Sequence, residues 1–298
     1  MILVTGANGP FGRLITEHLL TRVPAGELAV GVRDPAAAQT LTHQGVRVRH
    51  GDFDRPGTLV DAFAGADTVF VNGTNYGAAP AVRTRQQAAA IRAAEAAGAT
   101  RIVVTSWPDL ENCALDLATG SSATERLIAA SGSPDNERLG AASWPAYTIL
   151  RLAFGLAPAL ARDVHTALAA GVLGAPAGDA RATPAAISDL AEASANVLVE
   201  GGHEGRTYEL TGPDAITWAD LATLASALAG TDIRYESVPD AEFRHQSLAA
   251  GFPASAIDNL LALYAAFRSG WASRPSPDLA YLLHRPPIGS LDAVRQVL

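Results

Sequence analysis

Met1-Ile2-Leu3-Val4-Thr5-Gly6-Ala7-Asn8-Gly9-Pro10-Phe11-Gly12 is the stretch that decides the fold of this chain. Ile2 to Thr5 is a short apolar run, the pattern of a strand buried on both faces. It passes at once into Gly6-x-x-Gly9-x-x-Gly12, and a helical pattern follows over 11–22. In that order each glycine has a physical task, where an ordinary Gly-rich turn between strand and helix would be the plainer reading. Gly6 and Gly9 permit a tight turn and a close backbone approach to a pyrophosphate, because no Cβ stands in the way. Gly12 lets the helix pack close to the strand, and Pro10 suits the first helical turn, where its missing N–H costs nothing. The unpaired N–H groups and positive dipole end of that helix then face the phosphates. Gly6, Asn8, Gly9, Pro10, Phe11 and Gly12 are therefore the candidate phosphate-binding residues.

Working outward, further β-rich runs lie at 28–32, 46–50, 68–72, 101–105, 147–152 and 207–211, with helical patterns near 35–44, 56–64, 79–98, 121–131 and 187–200. This alternation predicts an α/β architecture, a doubly wound parallel sheet covered by helices on both faces. Right-handed crossovers place its functional edge at the strand C-termini. Residues just past those ends form a coherent set: Gly6–Gly12, Arg33, Asp52–Phe53, Asn72–Tyr76, Ser106–Trp107 and Phe154–Gly155. We expect a dinucleotide-binding core over 1–155, completed by 187–213, and a small, mainly helical C-terminal substrate lobe from 156–186 and 214–298 that lies over the crevice. Within that lobe, Thr217-x-x-Asp220 predicts a capping box for a helix over 218–229, 232–238 reads as a strand, Pro253 opens a helix ending near Gly270, and 275–287 reads as a loop-rich tail before a last helix near 291–298.

Composition narrows the function classes. The chain has 298 residues, 48% of them apolar, which is ample for a sizeable core. A single cysteine, Cys113, excludes a disulfide framework and a thiolate metal cluster. No histidine shows metal-ligand spacing, and His165 reads as a surface residue, so no metal site is expected. A net charge of −8 argues against a nucleic-acid surface. With a strand predicted from residue 2 and no long apolar run, neither a targeting peptide nor a membrane span is expected, and a reducing cytoplasm is the default. All 22 basic residues are arginine, so no lysine serves as Schiff base, phosphate anchor or proton relay.

The strand-end residues suggest specific roles. Arg33 follows the second strand, where an acidic residue would hold a ribose 2′-OH and an arginine accommodates a 2′-phosphate. Asp34-Pro35 reads as an N-cap followed by proline at the first helical position, which occupies the Asp34 carboxylate and leaves Arg33 for the phosphate. NADP(H) is accordingly expected over NAD(H). Asp52, with Phe53 near the ring, has two readings: acceptor for an adenine amino group, or an Asx turn. Asn72, Gly73 and Thr74 follow the fourth strand, where the chain passes close to the nicotinamide ribose. Ser106 and Tyr76 are the candidate catalytic hydroxyls, against plainer readings as a turn serine and a packing aromatic. Trp107 and Phe154 are the candidate substrate-binding aromatics.

Several of these segments resemble the NmrA-like branch of the atypical short-chain dehydrogenase/reductases: Thr5 to Gly12, Val32-Arg33-Asp34-Pro35, Gly51-Asp52-Phe53-Asp54, Ala123-Thr124-Glu125, Tyr147 to Arg151 and Tyr208 to Pro213. The likeness is greatest to the NAD(P)H-dependent quinone-oxidoreductase-like members. It implies a Rossmann core, NADP(H) and a small C-terminal substrate lobe, and with them hydride transfer to a small molecule, a quinone or an aromatic or conjugated carbonyl compound; a homodimer stays open as the assembly. Two departures stand out. The Tyr-x-x-x-Lys pair of the wider superfamily is absent, and an insertion lies between Ser131 and Pro145, where it bears on packing or assembly. Two alternatives stay open on the same fold, a non-catalytic NAD(P)-binding redox sensor and an isomerase-like biosynthetic tailoring enzyme. No Gly-x-Ser-x-Gly elbow is present, which disfavours a serine hydrolase.

Overall fold

The apolar run at Ile2–Thr5 becomes β1, an inner strand of the sheet. The structure, a computed structural model, describes residues 1–73, 78–131 and 146–298. β2 (Leu28–Val32), β3 (Arg47–His50), β4 (Thr68–Val71), β5 (Arg101–Ser106) and β6 (Ala146–Leu152) follow at the expected places. With Thr207–Leu210 they form a seven-stranded sheet in the order β3-β2-β1-β4-β5-β6 and then Thr207–Leu210. The pairings of β1 with both β2 and β4 are parallel, with Ile2 opposite Leu28 on one side and Thr68 on the other. The strand order therefore reverses beside β1, which is where a doubly wound sheet opens a crevice at its C-terminal edge.

The helices α1 (Pro10–Leu20), α2 (Gln39–His43), α3 (Gly57–Phe63), α4 (Pro80–Ala96) and α5 (Asp116–Ser131) alternate with these strands. Leu3, Leu59, Phe63, Val69, Val71, Ile91, Ile102 and Val104 share one buried cluster. Each of its large side chains, fully buried, is worth about 1.5–3 kcal/mol of transfer free energy. α4 presents Ala89, Ala90, Ala93 and Ala94 to that cluster, so its small side chains let the helix lie close to the sheet.

Packing divides the chain into two units. The first comprises Met1–Trp107, Asp116–Leu152 and Leu190–Tyr208, and the second Pro108–Leu115, Ala153–Asp189 and Glu209–Leu298. Residues 153–155, 187–189 and 209–213, expected in the core, group with the second unit, and so does the segment Pro108–Leu115. For that segment the cause is visible: Trp271 donates its indole N–H to the Pro108 carbonyl at 2.9 Å, and the Ala272 N–H donates to the Asp109 carboxylate at 3.1 Å.

The second unit is mainly helical, with short paired strands at Leu173–Ala175 and Tyr235–Ser237 and at Arg181–Ala182 and Ile216–Thr217. Its core is aromatic: Trp218, Tyr264, Phe267 and Trp271 are all buried, with Phe267 stacked on Trp271. Buried Asp163 accepts from the Trp218 indole and from the Tyr264 hydroxyl, each at 2.8 Å. The capping box at Thr217 and Asp220 forms with both reciprocal bonds and opens Trp218–Ala229 as expected. Three helices of this unit exceed the sequence reading, Leu156–Ala170, Asp240–Ala249 and Asp278–Leu283. The last falls in the stretch expected to be loop. It is six residues long between prolines, and only the burial of Leu279, Leu282 and Leu283 marks it. Among the described residues no helix is long and apolar enough to cross a membrane.

Candidate dinucleotide-binding site

The first turn is built as the glycines require. Gly6 adopts φ +70°, donates to the Gly31 carbonyl of β2 at 3.0 Å, and accepts from Gly9 N–H at 3.0 Å. A Cβ on Gly12 would lie 2.5 Å from the Gly6 carbonyl oxygen and 2.8 Å from its carbon, both backbone atoms that cannot step aside. Only glycine lets α1 start this close to the turn. Gly9 is the N-cap of α1 and no side chain caps the helix, with Pro10 at its first position as expected. Such an end offers backbone amides and a positive dipole to an anion. The residues present thus fit a dinucleotide: a cradle that a side chain would fill, closed by a helix start left for a phosphate.

Thr5 sets the neighbouring loop. Its hydroxyl donates to the Phe70 carbonyl at 3.0 Å and accepts from Asn72 N–H at 2.8 Å, tying the end of β1 to the end of β4. Asn72 and Gly73 are thereby brought beside the glycine turn, where a Cβ on Gly6 would meet the Asn72 amide at 3.3 Å. Sequence reasoning missed Thr5, whose only signal is a hydroxyl in an otherwise apolar strand. Thr74 and Tyr76, and the insertion at 132–145, lie outside the described residues.

At the end of β2, Asp34 caps the short helical turn Pro35–Ala38, its carboxylate accepting from Ala36 N–H at 3.0 Å. Asn8 donates from its side-chain amide to the Asp34 carbonyl at 2.9 Å, joining the glycine turn to this loop. Arg33 is exposed and makes no ion pair among the described residues. At the end of β3, Asp52 takes the Asx-turn arrangement, accepting from Asp54 N–H at 3.0 Å. Phe53 is partly buried and packs on the core cluster.

At the end of β5, Ser106 donates to Glu125 of α5 at 2.5 Å. Glu125 also accepts from Arg151 of β6, from Nε at 2.9 Å and Nη2 at 2.7 Å. Trp107 follows, half-buried. Phe154 is half-buried within the second unit, beside Gly155, which caps Leu156–Ala170 at φ +94°. In the sequence Glu125 and Arg151 stand out only within the segments that carry the family resemblance, and nothing there connects them to Ser106. Among the described residues no group of three or more His, Cys, Asp or Glu side chains is placed to hold a metal ion.

Sheet order, switch point and glycine turn define a dinucleotide-binding protein of the Rossmann type. Comparison with known proteins agrees: the NAD(P)H-binding family model matches residues 6–198. The chain is 33% identical over 261 residues to quinone oxidoreductase 2 of Escherichia coli strain K12, covering 87% of this chain and 85% of that protein. A crystal structure of the E. coli NADPH-dependent quinone oxidoreductase complexed with NADPH superposes with a TM-score of 0.87 at 30% identity, covering 100% of this chain and 99% of that one. The Citrobacter sp. triphenylmethane reductase complexed with NADP(H) gives 0.85 at 31%, over 100% and 99%. The chain belongs to the NAD(P)H-binding family and, within it, to the NmrA-like atypical short-chain dehydrogenase/reductases.

Proposed function

We propose that this protein is an NADPH-dependent reductase that passes hydride to a quinone or a similarly conjugated carbonyl acceptor. The observation that carries the reading is the bare start of α1, where a side chain at Gly12 would collide with Gly6 and no residue caps the helix. The glycine turn and α1 hold the pyrophosphate, Asn72 and Gly73 line the path toward the nicotinamide ribose, and exposed Arg33 holds the 2′-phosphate. Asp52 keeps its adenine-facing role only through Oδ2, the oxygen that the Asx turn does not take and that lies 4.0 Å from the Arg55 guanidinium. Trp107 offers a ring face to a conjugated acceptor.

When bound, NADPH supplies the hydride. A quinone that accepts it becomes a hydroquinone anion and takes its proton from water, so proximity and orientation are the main demands on the protein. The absence of lysine is no obstacle to that chemistry. The named activities of the relatives, on quinones and on a triphenylmethane dye, favour extended conjugated acceptors.

The test is NADPH oxidation by the purified protein with simple quinones. Tight NADPH binding with no turnover across a quinone and carbonyl panel would replace this reading with the non-catalytic sensor. Arg33→Ala is expected to weaken NADPH by roughly 10- to 100-fold, the worth of charge-assisted bonds of about 1.5–3 kcal/mol, with NADH almost unchanged. Equal weakening of both nucleotides would remove the role given to Arg33.

A further inference from the structure

We propose that Glu125 and Arg151 are positioning residues that lock the Ser106 hydroxyl as a hydrogen-bond acceptor for the nicotinamide half of the bound cofactor. The inference rests on the reading of the crevice given above and assigns a direction to one of its hydrogen bonds.

Ser106 and Arg151 are register partners at the ends of β5 and β6, so their side chains leave the sheet on the same face. Glu125 reaches both from α5. Next to it, buried Thr124 donates to Gln87 of α4 at 2.7 Å, which pins this turn of the helix. The Arg151 and Glu125 side chains are only 14% and 16% exposed. An ion pair withdrawn this far from water recovers its desolvation cost only in part, and apolar side chains of similar size would hold the helix as well. What hydrocarbon cannot do is dictate where a proton points.

A serine hydroxyl has one proton and two lone pairs, and an ionised carboxylate only accepts. With Glu125 held by both Arg151 donors, the Ser106 proton goes to Glu125. The Ser106 oxygen is then left with lone pairs for a donor in the crevice. β5 stands on the β4 side of the switch point, the half of the sheet edge that takes the second mononucleotide when the first lies over β1 to β3. The nicotinamide half carries N–H donors on its carboxamide and O–H donors on its ribose. Ser106 accepts from one of these and does not protonate the reduced substrate.

Calorimetric titration of NADPH and of adenosine 2′,5′-bisphosphate, which has no nicotinamide half, tests the assignment. Ser106→Ala should weaken NADPH roughly tenfold while leaving the bisphosphate unchanged. Ser106→Thr, which keeps the hydroxyl, should stay near wild type. In Glu125→Leu no carboxylate fixes the Ser106 proton, which is then free to turn toward the crevice, so this variant should weaken NADPH as Ser106→Ala does and add nothing to it in the double variant. Additive losses in the double variant, equal losses for the two ligands, or no loss in Ser106→Ala would each overturn the proposal. Quinone turnover is read separately. The binding pattern without turnover defeats the reductase reading alone, turnover without coupling between the two positions defeats this proposal alone, and a wild type that binds no NADPH defeats both.

Discussion

At the N-terminal end of β5, Arg101 donates to the carbonyl of Val197, in the last turn of the helix Ile187–Val199, and at 2.9 Å to that of Glu200, which follows the helix. Beside it, Thr148 donates to the His203 carbonyl at 2.8 Å, the His203 ring shares a hydrogen bond with the Tyr208 hydroxyl at 2.8 Å, and Tyr147 donates to Glu95. At the C-terminal end of β1, by contrast, α1 begins with no side chain on its amides. One sheet thus has an end where an arginine closes a helix on the protein's own carbonyls and an end where a helix start leaves its backbone donors over. A helix C-terminus closed by an arginine stabilises the fold, whereas a helix N-terminus left bare is useful only to an anion. The contrast separates residues that hold the sheet together from residues that serve a ligand, and each substitution below should touch one property and spare the other.

The largest effect is expected at the ligand end. Gly12→Ala places a Cβ against immovable backbone, so NADPH affinity should fall by roughly 100-fold or more and the fold should lose about 1–3 kcal/mol, the usual cost of overpacking. Nucleotide titration with a thermal melt reads both. Normal binding by the alanine variant would show that the close approach of α1 is not what makes the site.

Arg101→Met should do the reverse. Two carbonyls lose a charged donor, and a destabilisation of about 2 kcal/mol is expected in denaturant unfolding, while the NADPH dissociation constant of the folded protein stays put. A matching loss of affinity would mean that the two ends are not separable.

The smallest effect concerns pH. Burial, helped by the Arg101 charge and opposed by Glu200 and Glu204, holds the His203 imidazole below its ordinary value of 6.5. Below that value the unfolded chain takes up a proton that the folded chain declines. Stability from this group is therefore complete above the unfolded value and is lost as pH falls through it toward the lower folded value. Melting temperatures of wild type should decline over that window, and His203→Gln should flatten the decline without altering NADPH binding at neutral pH. An identical slope in the variant would remove His203 from the account.

Much of the first unit was legible because its signals are local. The glycine spacing, the Asp34-Pro35 cap and the strand–helix alternation each follow from what neighbouring residues permit the backbone to do, and all appear where expected. Asp52 was legible only as two alternatives, and the turn it makes with Asp54 is the local one. The helix at Asp278–Leu283 was not legible, since six residues between prolines carry too little periodicity. Nor was the partner of Ser106: nothing near it in the chain announces a glutamate 19 residues on or an arginine in the next strand.

Residue order alone was enough to specify a parallel α/β sheet with a nucleotide-binding turn, because glycine, proline and hydrophobic periodicity constrain the backbone within a few residues. Which donors meet which acceptors was settled only when β5 and β6 came into register and α5 packed over them. Hydrogen-bond direction at Ser106 and the bridge from Thr5 to Asn72 depend on distances between segments far apart in the chain, and those exist only in the folded molecule.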